Sequence, residues 1–442
     1  MHSVLRIHSQ IQHYKAKITP DLLTGKFSVD VIWNLGSLVL LGASGVLINI
    51  LIAYYQSPAS LGVFNQAFAF YIVLSQLAVG GMQFSIVKYL SPIDDRDVMA
   101  TVISSGLVAI TISATVVAGL AYLLAPYVGV LFNSNDVMLG IQFISPALVL
   151  FSVNKALMMV LNGTRRMRAY AVFQGVRYIL IIAAVIGLIL AGFTGAYLAW
   201  CFLVSELLLS AGLMTYVQRL TNGLRLKHVA RPWILRHISF GMRGFFGGML
   251  SDLNTRVDII LLGYFVNDAS VGIYSFAAVF AEGFGQISYV VKQNLDPIIG
   301  RFTETNNIES LRSLMRKVVF VFVPCILAVS LLAVFLFPLM VRLFTDNRFA
   351  ESWPIFAVLL TGVVINAAFR PFQGVFLLTG HPGLHSLFFL AVVFSNAILN
   401  ILFIRRIGLM GAAVATSLAY VVESLLILYG IRRILGVKEV CV

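Results

Sequence analysis

Charge is scarce in this chain. Only 11% of its 442 residues are Asp, Glu, Lys or Arg, where an ordinary soluble protein carries about a quarter. Acidic residues are the scarcer sign, 18 against 31 basic ones, for a formal net charge of +13. A chain this size cannot wrap itself in a water-facing polar shell with so few charges, which excludes a soluble globular enzyme. Cysteine is nearly absent too. Cys201, Cys325 and Cys441 stand far apart, which excludes a disulfide framework and any Cys-based metal spacing. His381 and His385 are four apart with no carboxylate nearby, so "GHPG" reads as a turn and no metal site is expected. A phosphate-binding Gly-rich Lys/Ser loop is missing as well, which argues against an ATP-driven pump.

What is present is apolar. Hydrophobic residues make up 60% of the chain and the mean hydropathy is +0.94. The bilayer is the natural solvent for such a chain, and about 20 apolar residues suffice for one helical crossing. The runs are long and unbroken rather than alternating, so helices are expected and a barrel is not. Twelve spans are expected, near 31–54, 61–84, 99–124, 138–161, 170–191, 195–217, 240–264, 271–292, 318–341, 353–378, 384–404 and 409–431. The opening segment "MHSVLRIHSQIQHYKAKITPDLLTGK" has no short apolar core with a small-residue cleavage site, so it reads as a polar tail rather than a signal peptide. With that tail inside, most of the basic residues fall on the same side, including Lys88, Arg96, Arg165, Arg166, Arg219, Lys227 and Arg301. The outside loops keep only Arg342, Arg348, Arg405 and Arg406. Both termini are therefore expected in the cytoplasm. The stretch "RLTNGLRLKHVARPWILRH" reads as a basic loop beside anionic headgroups, so no nucleic-acid partner is needed to explain the charge.

The chain repeats itself. Displaced by 210 residues, Tyr54 to Gln83 lies over Tyr264 to Gln293, with identities at Tyr54/Tyr264, Ala59/Ala269, Ser60/Ser270, Gly62/Gly272, Ala67/Ala277, Phe70/Phe280, Gln76/Gln286 and Gln83/Gln293. Asn65, Gln76 and Gln83 fall on one helical face, and Ser275, Gln286 and Gln293 repeat that stripe with Glu282 added. "GFTGAYLAWCFLVSELL" and "GLMGAAVATSLAYVVESLL" match near the two ends, which places Glu206 and Glu423 in equivalent slots. Two parallel six-span lobes are expected around a central cavity, 31–217 and 240–431. A basic cytoplasmic linker at 218–239 joins them, with tails at 1–30 and 432–442. Parallel repeats of this kind place substrate at their interface.

Two transporter folds have that layout. The loop "KYLSPIDDRDVMAT" lacks the major facilitator signature. By contrast, "NLGSLVLLGASGVLINILIAYYQSPASLGVFNQAFAF", "LSQLAVGGMQFSIVKYLS", "RVDIILLGYFVNDASVGIYSFAAVF", "LNGTRRMRAY" and "LLTGHPGLHS" resemble the polysaccharide branch of the multidrug/oligosaccharidyl-lipid/polysaccharide exporter superfamily. The resemblance runs over roughly residues 30 to 430. It implies a flippase of the bacterial cytoplasmic (inner) membrane for undecaprenyl-pyrophosphate-linked oligosaccharides. O-antigen units of lipopolysaccharide biosynthesis are an example, and glycan polymerase or assembly proteins would be partners. A drug or cation exporter of the same superfamily is the alternative. A lipid-linked glycan polymerase or ligase is a further one, but it would want a larger outside loop with catalytic groups than "FNSNDVML" or "LFTDNRFAESW" offers.

An ionisable group inside a span costs about 2.5–3.5 kcal/mol on insertion scales and so marks a candidate site. Lys155, Arg177, Arg243, Arg256 and Arg370 are the basic ones, and Glu206, Asp252, Asp258, Glu282 and Glu423 the acidic ones. Lys155 and Arg370 are expected at similar depth in the two halves, where together they would hold a pyrophosphate; each could instead reach a headgroup or a carboxylate. Arg256, Asn366, Gln373, Asn65, Gln76 and Gln286 complete the expected substrate lining. Asn366, Arg370 and Gln373 share a face beside the helix-loosening Pro371. Asp252 and Arg256, four apart, are expected to pair, either as a packing lock or as part of the site. Arg243 is expected to snorkel to the interface. Asp258 and Glu282 are candidates for coupling to H+ or Na+, with a hydrogen bond to span 8 as the plainer reading of Asp258. Glu206 and Glu423 recur symmetrically, which suggests a packing role or a pairing role with loop arginines. No organic cofactor is expected.

Overall fold

The computed structural model describes residues 42–221, 223–305 and 307–435, all built from helices and turns. The expected tail at 1–30, the start of the first span and the end of the C-terminal tail lie outside the described residues. In chain order the helices are α1 (Gly42–Tyr55), α2 (Pro58–Val79), α3 (Met82–Leu90), α4 (Arg96–Leu131), α5 (Asn135–Gly163), α6 (Met167–Leu190), α7 (Trp200–Leu220), α8 (Arg231–Asn254), α9 (Val257–Phe265), α10 (Asp268–Glu304), α11 (Ile308–Lys317), α12 (Val323–Thr345), α13 (Ser352–Ala367), α14 (Val375–Leu378) and α15 (Pro382–Leu435). Among the described residues, seven helical stretches are long and apolar enough to cross a membrane, or eight with the bent pair Ser352–Ala367 and Arg370–Leu378 taken as one. This is a multi-pass membrane protein. Only 17% of the apolar window in Ile308–Thr345 is buried, and Phe335, Leu339 and Leu343 point outward. Such a surface requires lipid around it.

Helix starts follow local chemistry. Ser57 accepts from the Ser60 N–H at 3.2 Å with Pro58 in the first turn, and Asn267 does the same for Ser270 at 2.9 Å. Ser134 and Asp95 cap α5 and α4. Each satisfies an N–H that the helix itself leaves orphaned.

Three expected spans are interrupted. Residues 61–84 break between α2 and α3 because Gly80 and Gly81 both take positive φ (55° and 73°), a conformation open to glycine at little cost. Residues 240–264 break at Thr255 and Arg256, between α8 and α9. The span at 353–378 bends by 45° before Arg370, where Pro371 supplies no N–H and disfavours a helical residue ahead of it. Conversely, the two expected spans at 384–404 and 409–431 run on as α15, kinked at Ile407 and Gly408.

Two seams join the halves of the chain. At the end of the molecule that holds Pro58, α2 crosses α10 backbone to backbone. A β-carbon on Gly62 would overlap the Asp268 carbonyl, and one on Gly272 would overlap the Pro58 carbonyl. The Asp268 carboxylate also accepts from Gln66 (2.7 Å) and Ser134 (2.6 Å). Arg348 donates to the carbonyls of Ala53, Tyr54 and Gln56 at 2.7–3.1 Å, closing the C-terminal end of α1. Substituting Gly62→Val overpacks this crossing by about 1–3 kcal/mol and is expected to pry the seam open. In a background without the native cysteines, a cysteine at Ala67, fully buried here, should then react with a water-soluble maleimide. Continued protection would contradict the seam.

The opposite end gathers Lys88, Arg96, Arg165, Arg166 and Arg219, and is called the basic end below. There α8 packs on α3 and α4. Gly241 approaches the Gly80 carbonyl too closely for a side chain. His237, fully buried, lies 2.5 Å from the Ser85 hydroxyl through Nδ1 and 3.1 Å from the Val102 carbonyl through Nε2. Burial pulls its pKa below the ordinary value, more than the Val102 bond raises it. In the neutral ring Nε2 donates to the Val102 carbonyl, which leaves Nδ1 as an acceptor that competes with the Met82 carbonyl (2.5 Å) for the single Ser85 hydroxyl proton.

Candidate functional site: a charged chamber between the two seams

Between the seams lies a cavity of about 580 Å³. Its walls come from both halves of the chain and carry Lys155, Arg177, Arg256 and Arg370 together with Glu206, Asp252, Asp258, Glu282 and Glu423. Aromatic rings fill the spaces between, with Phe202 stacked against Phe64, Phe68 and Tyr71 at centroid distances of 4.8–5.5 Å.

Each charge has a distinct setting. Arg177 Nε lies 3.0 Å from Glu206 Oε1, a charge approach without hydrogen-bond alignment, and its Nη2 donates to Oε2 at 3.4 Å. Asn154 donates to the same Oε2 (2.7 Å) and to the Glu206 backbone carbonyl (2.9 Å). Glu423 in the second half has a matching arrangement with amides in place of the guanidinium, receiving Asn366 (3.2 Å) and Gln373 (3.1 Å). Arg256 faces Glu282 in a two-pronged pair at 3.3 and 3.5 Å and lies over the Phe68 ring at 5.1 Å. Asp258, buried at the first turn of α9, accepts from the Tyr274 hydroxyl at 2.5 Å and from the Ile259 N–H at 2.8 Å. Gln76 bridges two charges. Its carbonyl accepts from Lys155 Nζ at 3.1 Å and its amide donates to Asp252.

Among the described residues, Lys155 and Arg370 are the chamber cations without an ion pair. Arg370 opens the short turn Arg370–Phe372, and its Nη1 reaches over Gly285 of α10, where a β-carbon would stand 3.3 Å away. Glu282 and Glu423 both lie within its electrostatic reach.

Most of the residues expected in the lining are on the chamber wall: Lys155, Arg256, Arg370, Gln373, Asn65, Gln76 and Gln286, with Asp258 and Glu282 beside them. Four expectations need correction. Asp252 and Arg256 do not form an ion pair. The chain leaves the helix at Arg256 (φ −130°, ψ −6°), so the four-residue spacing no longer stacks the two side chains, and they turn to Gln76 and Glu282 instead. Asn366 is not in the lining; it is 2% exposed and bonded to α15 through Tyr420, Glu423 and Ser424. Glu206 and Glu423 do not reach loop arginines, since their partners are Arg177, Asn154, Asn366 and Gln373 within the bundle. Gln83 also leaves its predicted stripe, because the glycine break re-aims α3 and buries it.

Sequence reasoning marked Arg177 as an ionisable group inside a span but gave it no specific role, and it did not mark Asn154 or Asn396 at all. Asn154 carried a faint signal, lying before Glu206 much as Asn366 lies before Glu423. Asn396 carried none. It donates to the Asn254 carbonyl and side chain at 3.3 and 3.1 Å, serving a backbone group beside the α8–α9 break.

Residues 30–302 match the model of a family described as polysaccharide biosynthesis protein, and the chain belongs to that family. No curated protein matches it in sequence. Among solved structures it is similar to the lipid II flippase MurJ in an inward closed conformation, at 17% identity and a TM-score of 0.72 over 91% of this chain and 87% of that one. It is also similar to an inward-facing multidrug resistance MATE family transporter of the MOP superfamily, at 16% identity and a TM-score of 0.71 over 91% and 96%. A third similar structure is the MATE multidrug transporter DinF-BH in complex with R6G, at 17% identity and a TM-score of 0.65 over 95% and 98%. At such identities the likeness is one of fold. The proteins of that fold in these three structures are a flippase and two transporters.

Proposed function

We propose that this protein flips an undecaprenyl-pyrophosphate-linked oligosaccharide, an O-antigen or related surface-glycan unit, across the bacterial cytoplasmic membrane by alternating access. In this reading twelve spans form two parallel lobes, 31–217 and 240–431, with the linker 218–239 and both tails in the cytoplasm. The basic end then faces the cytoplasm and the Pro58 end faces out. The reciprocal contact supports the duplication, because Gly62 and Gly272, like Pro58 and Asp268, are equivalent under the 210-residue displacement. One observation carries the substrate class. Lys155 and Arg370, from opposite halves, both line the chamber and neither is neutralised by an ion pair among the described residues. A pyrophosphate held between them would receive a forked guanidinium contact from one side and an ammonium from the other. The amides of Gln76, Gln286 and Asn65 suit a saccharide, and the lipid tail would stay in the bilayer.

The five carboxylates of the chamber favour a second reading, a multidrug or cation exporter, with Asp258 and Glu282 as the H+ or Na+ site. Reconstituted proteoliposomes separate the two. Movement of a fluorescent pyrophosphate-linked glycolipid between leaflets, unaffected by lipophilic cations, supports the flippase. Saturable uptake of a lipophilic cation with no glycolipid movement overturns it.

A further inference from the structure

Four arginines that the chamber does not use converge on a second cavity at the basic end. It holds about 340 Å³ and is lined by Arg96 at the start of α4, Arg165 and Arg166 between α5 and α6, and Arg219 in the last turn of α7. Leu90 and Met99 form part of an apolar floor. Among the described residues none of the four arginines forms an ion pair. Asp94 is the carboxylate in the lining, and its neighbour Asp95 caps α4 by accepting from the N–H groups of Asp97 and Val98. Four like charges from three separate connections thus surround one hollow that holds a single carboxylate in its lining, Asp94, an arrangement that a phosphate stabilises.

The α5–α6 turn is shaped to present its two arginines. The Arg166 N–H bonds back to Leu161 at 2.8 Å and the Arg165 N–H to Asn162 at 2.9 Å. This is the helix-ending motif whose left-handed position ordinarily belongs to glycine. Arg165 occupies that position, with φ 56°. Gly163 sits so close to Val87 that a β-carbon would stand 3.2 Å from its Cα, which pins the turn against α3. Arg166 then precedes α6, whose first N–H groups receive no side-chain cap. Exposed apolar residues begin within about two turns of the cavity, at Val98 (41% exposed) on α4 and Val172 (44% exposed) on α6. The arginines therefore lie at headgroup depth rather than in open water.

We infer that this cavity binds the phosphate of an anionic membrane lipid, with the headgroup among Arg96, Arg165, Arg166 and Arg219 and the acyl chains along α4 and α6. The inference is independent of what the central chamber carries. It is tested on the full-length protein in detergent, by native mass spectrometry and thermal shift. The probes are phosphatidylglycerol, cardiolipin, phosphatidylcholine, inorganic phosphate and pyrophosphate. The anionic lipids should bind and raise the melting temperature while phosphatidylcholine does neither. Each of Arg166→Gln and Arg219→Gln should weaken that binding about fivefold. Arg165→Gly relieves the left-handed backbone, so its melting temperature without lipid should not fall, yet its lipid affinity should drop about as much. That variant separates a lost ligand from a lost fold. Equal binding of phosphatidylcholine, or unchanged affinity in the three variants, would overturn the site. Displacement of the lipid by inorganic phosphate or pyrophosphate at matching concentration would overturn its assignment to lipid and identify a soluble anion.

Discussion

Replacing Arg370 by alanine should abolish glycolipid flipping while leaving the folded protein at normal levels. The guanidinium forms no ion pair among the described residues, and its neighbour Glu423 keeps the amides of Asn366 and Gln373. The fold therefore loses little when it goes. A bound pyrophosphate would instead lose a forked, desolvated partner. Truncating one member of such a pair costs about 2–5 kcal/mol, or at least about 30-fold in rate. Arg370→Lys should be intermediate, since an ammonium keeps the charge but not the fork. Lys155→Ala should show a smaller loss, because Gln76 already engages that ammonium. The assay is leaflet exchange of the labelled glycolipid in proteoliposomes, normalised to protein. Wild-type exchange by Arg370→Ala would remove the anchor from the proposal.

Glu206→Leu should do the reverse, unfolding the protein before transport can be asked about. Its carboxylate is 2% exposed and faces Arg177, 9% exposed, at 3.0 Å. Without it a guanidinium is left buried beside Phe151 with no counter-charge. Breaking a buried pair from one side costs about 3–5 kcal/mol. The double change Arg177→Met with Glu206→Leu should recover most of that, because removing both charges leaves nothing uncompensated. Glu423→Gln should cost far less, since its partners are neutral amides. Thermal unfolding in detergent reads all three. A Glu206→Leu protein with native stability would show that the pair holds nothing together.

The contrast between Arg370 and Arg177 could not be read from sequence. Both appear there as lone arginines in apolar runs. What separates them is the rotation of their helices and the carboxylate each one meets. In water, a hydrophobic stripe reports which face of a helix is inward. In lipid the outward face is apolar as well, so that signal fades. The polar stripe Asn65, Gln76, Gln83 shows the limit. Asn65 and Gln76 reach the chamber, but Gln83 lies past two glycines with positive φ and is turned into the protein. The pairing expected for Asp252 and Arg256 failed for the same kind of reason, since it assumed a continuous helix where the chain breaks.

Composition and repetition alone determined that this protein lives in a bilayer, that it is helical, and that Gly62 with Gly272 and Glu206 with Glu423 match when the sequence is laid over itself. Those properties follow from how much apolar surface there is and from the order of residues along the chain. Only the tertiary structure decided which charges neutralise each other and which stay open to the chamber. That depends on distances of a few ångströms between distant segments, set by helix breaks at Gly80, Thr255 and Arg370 that redirect each side chain after them.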